Sequence, residues 1–284
     1  MLSNNNCFND HSSSQPLTLS SSIKRKIMIH ETAVIDKSAV IEENVEIGPY
    51  TVIGPETVIK SGTKIHGQCV IEYAEIGKNC EIFNFSSIGK RPQDLKYQGE
   101  KTKVIVGDGT TVRECVTLNR GTAAAGQTVV GKNCLLMACS HIAHDCILGD
   151  NVIIGYSSGV AGHVEIGDYV ILSGSIGVHQ FVKIGESAMI SGGAMVAMDV
   201  IPFSIAQGDR AVLSGLNVVG MKRRTMKISE IEDIKNAYRT LFMSKLTLEE
   251  ALVKLDPTAS PHVRKIINFI KASQRGITRP RELR

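Results

Sequence analysis

The chain has 284 residues, a net charge of +4, 21% charged and 43% hydrophobic side chains, 26 Gly and no Trp. That length allows one large or two modest domains. So mild a positive balance, with no aromatic-basic stripe, excludes nucleic acid as a partner, and no apolar run reaches the roughly 18 residues that span a bilayer.

Residues 1–27 are rich in Ser and Asn, end in Ser22-Ile23-Lys24-Arg25-Lys26 and lack the apolar stretch of a secretory signal. A disordered tail is expected, either a true extension or the result of a start upstream of Met28. An organelle transit peptide fits less well, because the basic residues are few and Asp10 is acidic. Seven cysteines without a CxxC pair argue against a disulfide framework and read as reduced thiols of a cytoplasmic protein.

From Ile29 an aliphatic residue returns at every sixth position, through Ile35, Ile41, Ile47, Ile53, Ile59, Ile65 and Ile71. After Ile76, Ile82 and Ile88 the period lapses over about 89–105, and it lapses again over 120–129. It then holds from Val130 through Ile142, Val160 and Val178 to Val196. Neither the helical period of 3.6 nor the strand period of 2 fits this. Hexapeptide repeats specify a parallel β-helix with three hexads per coil, here a left-handed prism over residues 28–203 about 40 Å long. Cys69, Cys80 and Cys134 fall in small-residue slots and read as core. The flat sides of such a prism ask to be covered, which favours side-by-side packing into a homotrimer. Past Pro202, Ile228, Ile231, Ile234, Tyr238 and Leu241 recur at helical spacing, so residues 204–284 are expected to form a small C-terminal α-helical domain. Ser229 with Glu232, Thr247 with Glu250, and Ser260-Pro261 mark expected helix starts.

The chemical cluster is His141-Ile142-Ala143-His144-Asp145, followed by His163 and His179-Gln180. Four of the eight histidines lie within 39 residues. A coil of about 18 residues stacks His144, His163 and His179 into one expected groove. Histidine suits general-base work, since its ordinary pKa of about 6.5 lets it accept a proton near neutrality. Neighbours in a strand point apart, so a backbone turn or another carboxylate competes with Asp145 as the group that orients His144. The same reasoning puts His141 and His144 on opposite faces unless a corner intervenes, against the converging ligands that zinc needs in a gamma-carbonic-anhydrase-like site. No metal is expected.

Gln93-Asp94-Leu95-Lys96-Tyr97, Arg113-Glu114, the His141–Cys146 segment, Ala161-Gly162-His163, Val178-His179-Gln180-Phe181 and Asn217 with Lys222-Arg223-Arg224 together resemble the UDP-N-acetylglucosamine O-acyltransferase family, from Ile29 to about Arg275. The resemblance implies transfer of a 3-hydroxyacyl chain from acyl carrier protein to the 3-hydroxyl of UDP-N-acetylglucosamine, the opening step of lipid A biosynthesis. It implies no cofactor beyond the carrier-protein thioester as co-substrate. Catalysis would fall on His144 as base, with Asp145 beside it and the Gly162 N–H steadying the oxyanion, in active sites between the subunits of a homotrimer. Asp94 and Lys96 would hold the sugar together with His141 of the next groove. His163, His179 and Gln180 would follow the substrate path, while Asn217, Arg223 and Arg224 would hold the nucleotide end. Lys222, Arg223, Arg224 and Lys227 would also present a basic face to the acidic carrier. Gly192, at the implied pocket floor, leaves room for a longer acyl chain.

Asn119 stands where many members carry His, and Val219 where an acidic residue is frequent. This leaves N-acylation of a 3-amino sugar nucleotide as the alternative. A zinc enzyme of the gamma-carbonic-anhydrase kind and a non-catalytic scaffold are the competing classes. The N-acyltransferase that acts later in lipid A assembly carries an extra N-terminal domain, for which 28 residues are too few.

Overall fold

The structure is a computed structural model and describes residues 28–281; the expected N-terminal tail and Cys7 lie outside the described residues. The hexads build three sheets of eleven, nine and eight strands, parallel except at the hairpin that ends the first, and these are the faces of a left-handed parallel β-helix. Strands pair with the coil before and after in strict register, Ile29 with Ile47 and Ile142 with Val160.

Most strands are two residues long because each hexad must also turn a corner. The aliphatic residue points inward: Ile53, Ile59, Ile71, Leu118, Ile142 and Val160 are fully buried. Each such side chain contributes about 1.5–3 kcal/mol of burial. Three residues on, the backbone turns left-handed. From Asn133 to Phe181 every sixth residue has φ between 53° and 65°. Outside glycine that conformation costs about 1 kcal/mol or more, so the ladder of burial on both sides must hold it. One residue further is the small slot. Cys69 and Cys134 fill it as expected, their Sγ–H donating to Phe83 O (3.1 Å) and Gly149 O (3.2 Å), with both thiols pushed up to about 11 by burial.

The two lapses are excursions between strands Ser87–Lys90 and Lys103–Val106, and between Thr117–Asn119 and Gln127–Val130. Arg120 pins the first one. Its guanidinium donates to Tyr97 Oη (2.9 and 3.0 Å) and Gly89 O (2.8 Å), and stacks on Tyr73 at 4.4 Å.

Residues 204–216, expected within the helical part, instead extend the eleven-stranded sheet. Strand Ser204–Gln207 pairs with Met189–Ile190 and turns back on Val212–Leu216 as an antiparallel hairpin. Ile190 and Ala206 are both fully buried, so the sheet continues where the core does. Helices follow: α1 (Val218–Arg223), α2 (Ile228–Phe242), α3 (Leu248–Leu255) and α4 (Pro261–Ala272). Thr247 with Glu250 closes a capping box on α3, and Ser260 precedes Pro261 at the start of α4. The expected Ser229 and Glu232 pair does not cap α2. That helix starts two residues earlier, because Glu230 reaches back to the N–H of Lys227 at 2.8 Å.

Candidate active site

His141 and Ile142 form a strand of the nine-stranded sheet, with Ile142 inward and His141 outward. Ala143 leaves the strand and His144-Asp145 make the corner, Asp145 at φ 60°. The turn folds the carboxylate back onto its neighbour, so His144 Nδ1 lies 2.7 Å from Asp145 Oδ2. The expectation that the two side chains point apart is therefore corrected: they sit on a left-handed corner, where strand alternation does not apply. The second excursion completes the arrangement, as Thr122 donates from its N–H to Asp145 Oδ1 (2.8 Å) and from Oγ1 to Oδ2 (2.7 Å). Burial alone would raise the Asp145 carboxyl, but the hydrogen bonds from His144 and Thr122 outweigh it and hold the pKa below the ordinary value. An ionised Asp145 accepts the Nδ1–H of His144, which leaves Nε2 as the lone-pair nitrogen.

His144 lines a cavity of about 640 Å³ together with Gln93, His141, Gly162, His179, Gln180, Met195 and Arg210, over a floor of Gly159, Ala161, Gly177 and Ala197. His141 and His144 thus share one cavity, the outcome expected where a corner intervenes between them. His141 Nδ1 meets Thr117 Oγ1 at 2.7 Å, and burial, with a smaller contribution from nearby His144, lowers its pKa. Gly162 packs against His144 so closely that a Cβ would stand 2.7 Å from its Cε1. Its N–H has no partner among the described residues. His179 is tied to the C-terminal segment by Arg275 Nη2, 2.9 Å from His179 Nδ1. Cys146, beside the base in sequence, is buried with its thiol pushed up to about 12, so it holds no nucleophilic thiolate.

Other candidate residues lie off this cavity. His163 lies edge-on to His144 at 5.0 Å and is stacked on Phe181 at 4.6 Å, with Nε2 3.7 Å from Asp145 Oδ2. His144, Asp145 and His163 offer three ligand atoms within 4.8 Å of one another. The closest two are hydrogen-bonded to each other at 2.7 Å, nearer than the roughly 3.4 Å that separates two tetrahedral zinc ligands at about 2.0–2.1 Å. Asp94 Oδ1 accepts the Lys96 N–H at 2.9 Å near the tip of the first excursion, and only its neighbour Gln93 reaches the cavity. Asn119 is buried, with its Oδ1 unpartnered. Gly192 is exposed in a separate depression that shares Arg210 with the cavity.

Asn217 is buried and caps α1: Oδ1 accepts from Gly220 N–H (2.9 Å) and Nδ2 donates to Ser187 O (2.9 Å). Arg224 pairs with Glu186 at 2.8 Å, bonds Ser187 Oγ and lies 3.8 Å over Tyr169, while Arg223 is exposed. Tyr169 and Ser187 are corner residues after the eight-stranded sheet, whereas Asp145, His163 and Phe181 are corners after the nine-stranded one. Within one chain, the implied nucleotide end and His144 occupy different edges of the prism. Thr117, Thr122 and Arg275 were given no role in the sequence reading, and Gln93 entered it only as part of the Gln93–Tyr97 motif. Only Thr117 left a signal there, since removing the second excursion from the count makes it the rung neighbour of His141.

Comparison with known proteins agrees with this fold. The family model described as UDP N-acetylglucosamine O-acyltransferase, domain 2, matches residues 199–278, and the bacterial transferase hexapeptide model matches residues 127–162. The C-terminal domain model of GMPPB matches residues 23–131. The acyl-acyl-carrier-protein UDP-N-acetylglucosamine O-acyltransferase of Thermodesulfovibrio yellowstonii is 45% identical over 255 residues, 88% of this chain and 99% of that one. The enzyme of the same name from Chlorobaculum parvum is 58% identical over 206 residues, 72% of this chain and 78% of that one. Among solved structures, the UDP-N-acetylglucosamine acyltransferase of Bacteroides fragilis superposes with a TM-score of 0.87 at 42% identity, covering 89% of this chain and all of that one. The Arabidopsis enzyme superposes at 0.79 with 32% identity, covering 88% of this chain and 100% of that one. By sequence and by structure alike, the chain belongs to the UDP-N-acetylglucosamine O-acyltransferase family.

Proposed function

We propose that this chain transfers a 3-hydroxyacyl group from acyl carrier protein to the 3-hydroxyl of UDP-N-acetylglucosamine, the first step of lipid A biosynthesis. The observation that carries the mechanism is the 2.7 Å contact of His144 Nδ1 with buried Asp145, which leaves Nε2 free beside the unpartnered N–H of Gly162. Nε2 takes the proton of the sugar hydroxyl as its oxygen attacks the thioester carbonyl. The Gly162 N–H donates to the oxyanion of the tetrahedral intermediate. Collapse breaks the carbon–sulfur bond, and the departing thiolate recovers the proton from Nε2. Asp145 and Thr122 act through His144 as positioning residues. No cofactor, metal or covalent enzyme intermediate is required, in keeping with the raised thiol of Cys146.

A homotrimer with active sites between subunits is supported by the division of the implied substrate residues between two edges of one prism. Side-by-side packing brings the Asn217–Arg224 edge of one copy to the His144 groove of the next. Leu95, fully exposed at the tip of the first excursion, and the exposed Ile147 and Tyr156 are apolar groups such packing would cover. Arg223 and Arg224 suit the nucleotide's phosphates through their planar forks of donors. Among the described residues no helix is long and apolar enough to cross a membrane.

The test is mass analysis of the product after mixing the protein with UDP-N-acetylglucosamine and 3-hydroxyacyl carrier protein, with His144→Ala alongside. A monoacylated sugar nucleotide made only by the unmutated protein is the expected result. Product with the 3-amino analogue alone would move the assignment to N-acylation, and no product with either would sink it.

A further inference from the structure

Of the three basic residues Lys222, Arg223 and Arg224, only Arg224 is drawn onto the prism; the other two are exposed. The Arg224 guanidinium lies 3.8 Å over the ring of Tyr169, bonds Ser187 Oγ through Nη1 and stands 2.8 Å from Glu186 Oε1 through Nη2. Lys265 Nζ, from α4, takes the other oxygen of the same carboxylate, Oε2. The Glu186 side chain is only 15% exposed, and its carbonyl accepts the Phe203 N–H at 2.8 Å, so its backbone is fixed as well. One carboxylate thus divides its oxygens between two cations, one at the end of α1 and one on α4.

A carboxylate that faces an arginine alone closes on it with both oxygens, in two parallel N–H···O bonds. Here Lys265 occupies one of those oxygens, so Arg224 meets only the other, and the three side chains together keep a net positive charge. Ser187 and Glu186 engage two of the five guanidinium N–H donors, which leaves three for an anion.

We propose that Glu186 and Lys265 are positioning residues for the sugar nucleotide, together fixing Arg224 in place while leaving it open to the diphosphate. This rests on the acyltransferase reading, in which Arg224 meets the phosphates. An arginine that is free in solvent loses rotamer freedom when it clamps a phosphate. Arg224 has little left to lose, since a ring, a hydroxyl and a carboxylate already hold it. Removing Glu186 takes away one of these supports. Removing Lys265 frees Oε2 to compete with the phosphates for the same donors. The two substitutions weaken binding by different routes, and both routes pass through Arg224. Because Lys265 belongs to α4, the helical part is coupled to nucleotide affinity through a single carboxylate.

The experiment is titration calorimetry of UDP-N-acetylglucosamine onto the full chain, with kcat and KM for both substrates measured alongside. Glu186→Ala and Lys265→Ala should each raise the Kd of the sugar nucleotide by about three- to tenfold, with a smaller change in kcat and in the KM of the carrier protein. Glu186→Gln, which keeps an oxygen for Arg224 but removes the charge, should fall between Glu186→Ala and the unmutated protein. In an Arg224→Ala background neither Glu186→Ala nor Lys265→Ala should raise Kd further, a dependence that general loss of stability would not produce. Unchanged Kd in both Glu186 variants, or effects that add in full to that of Arg224→Ala, would overturn the inference; if Glu186→Ala did not fold, Glu186→Gln and Lys265→Ala would decide. Absence of both binding and product with the unmutated protein would remove the acyltransferase reading and this inference with it, so the two failures are distinguishable.

Discussion

Two edges of the same prism use identical backbone for opposite ends. At the edge after the nine-stranded sheet, the corner residue Asp145 turns back on His144, is buried by Thr122, and leaves one ring nitrogen without a partner beside a cavity. At the edge after the eight-stranded sheet, the corner residues Tyr169 and Ser187 meet Arg224, which is also paired with Glu186, itself bound by Lys265. Burial would raise the Glu186 carboxyl, but Lys265 and Arg224 hold it low. The φ values at the two edges are alike, near 60°. The hexad is thus a mount, and the chemistry depends on which non-repeating segment packs on it: an excursion at one edge, the C-terminal helices at the other.

The sharpest way to break this contrast is to empty the first edge. His144→Ala should lower kcat by about 10²–10⁴ while leaving the thermal transition near that of the unmutated protein; retained activity would remove His144 as base. Gly162→Ala is expected to cost about 10² in kcat, because its Cβ cannot coexist with the imidazole at 2.7 Å and the ring must shift by a sizeable fraction of an ångström. Steady-state kinetics that show an unchanged kcat for this variant would mean that the packing of Gly162 on His144 does not fix the base.

The scaffold and the place of His144 were legible because both depend on periodicity: Ile142 must point inward, and so the position of His144 on the coil follows. Asp145 was misjudged because strand alternation was extended over a corner, and only the left-handed turn at φ 60° lets adjacent side chains meet. Thr122 was invisible, since an excursion has no period and its fold over Asp145 is a tertiary event. His163 was correctly placed one coil on, yet it stacks with Phe181 away from the cavity, because the 19-residue spacing puts it on the corner itself. The hairpin of residues 204–216 was missed because its Gly208 and Gly215 obscure a strand pattern that the sheet edge enforces.

Intermediate effects separate positioning from binding. Thr122→Val keeps the backbone donor to Asp145 but deletes the hydroxyl one, a hydrogen bond to a buried charge worth about 1.5–3 kcal/mol. Denaturant unfolding should show that loss, and kcat should fall by roughly tenfold with little change in KM. Arg224→Ala at the other edge should behave in the opposite sense, raising the KM for the sugar nucleotide by about tenfold, the equivalent of 1.4 kcal/mol, with a smaller change in kcat. Identical kinetic signatures from the two variants would erase the distinction between the edges.

The smallest effect is on acid stability, and it again belongs to the first edge. His141, half-buried beside Thr117, has a folded-state pKa below its ordinary 6.5. Below that ordinary value the unfolded chain binds a proton that the folded chain refuses, so stability falls as the pH drops from about 6.5 through the lowered folded value. Asp145 acts in the same sense further down: its stabilisation is present above its ordinary 3.8 and is lost as the pH falls through its lower folded value. Melting temperatures of the unmutated protein and His141→Asn should therefore differ in slope between pH 6.5 and 5, the variant being flatter, and run in parallel above pH 7. Parallel curves throughout would mean that His141 titrates in the groove as it does in water, and the edge would then owe its character to Asp145 alone.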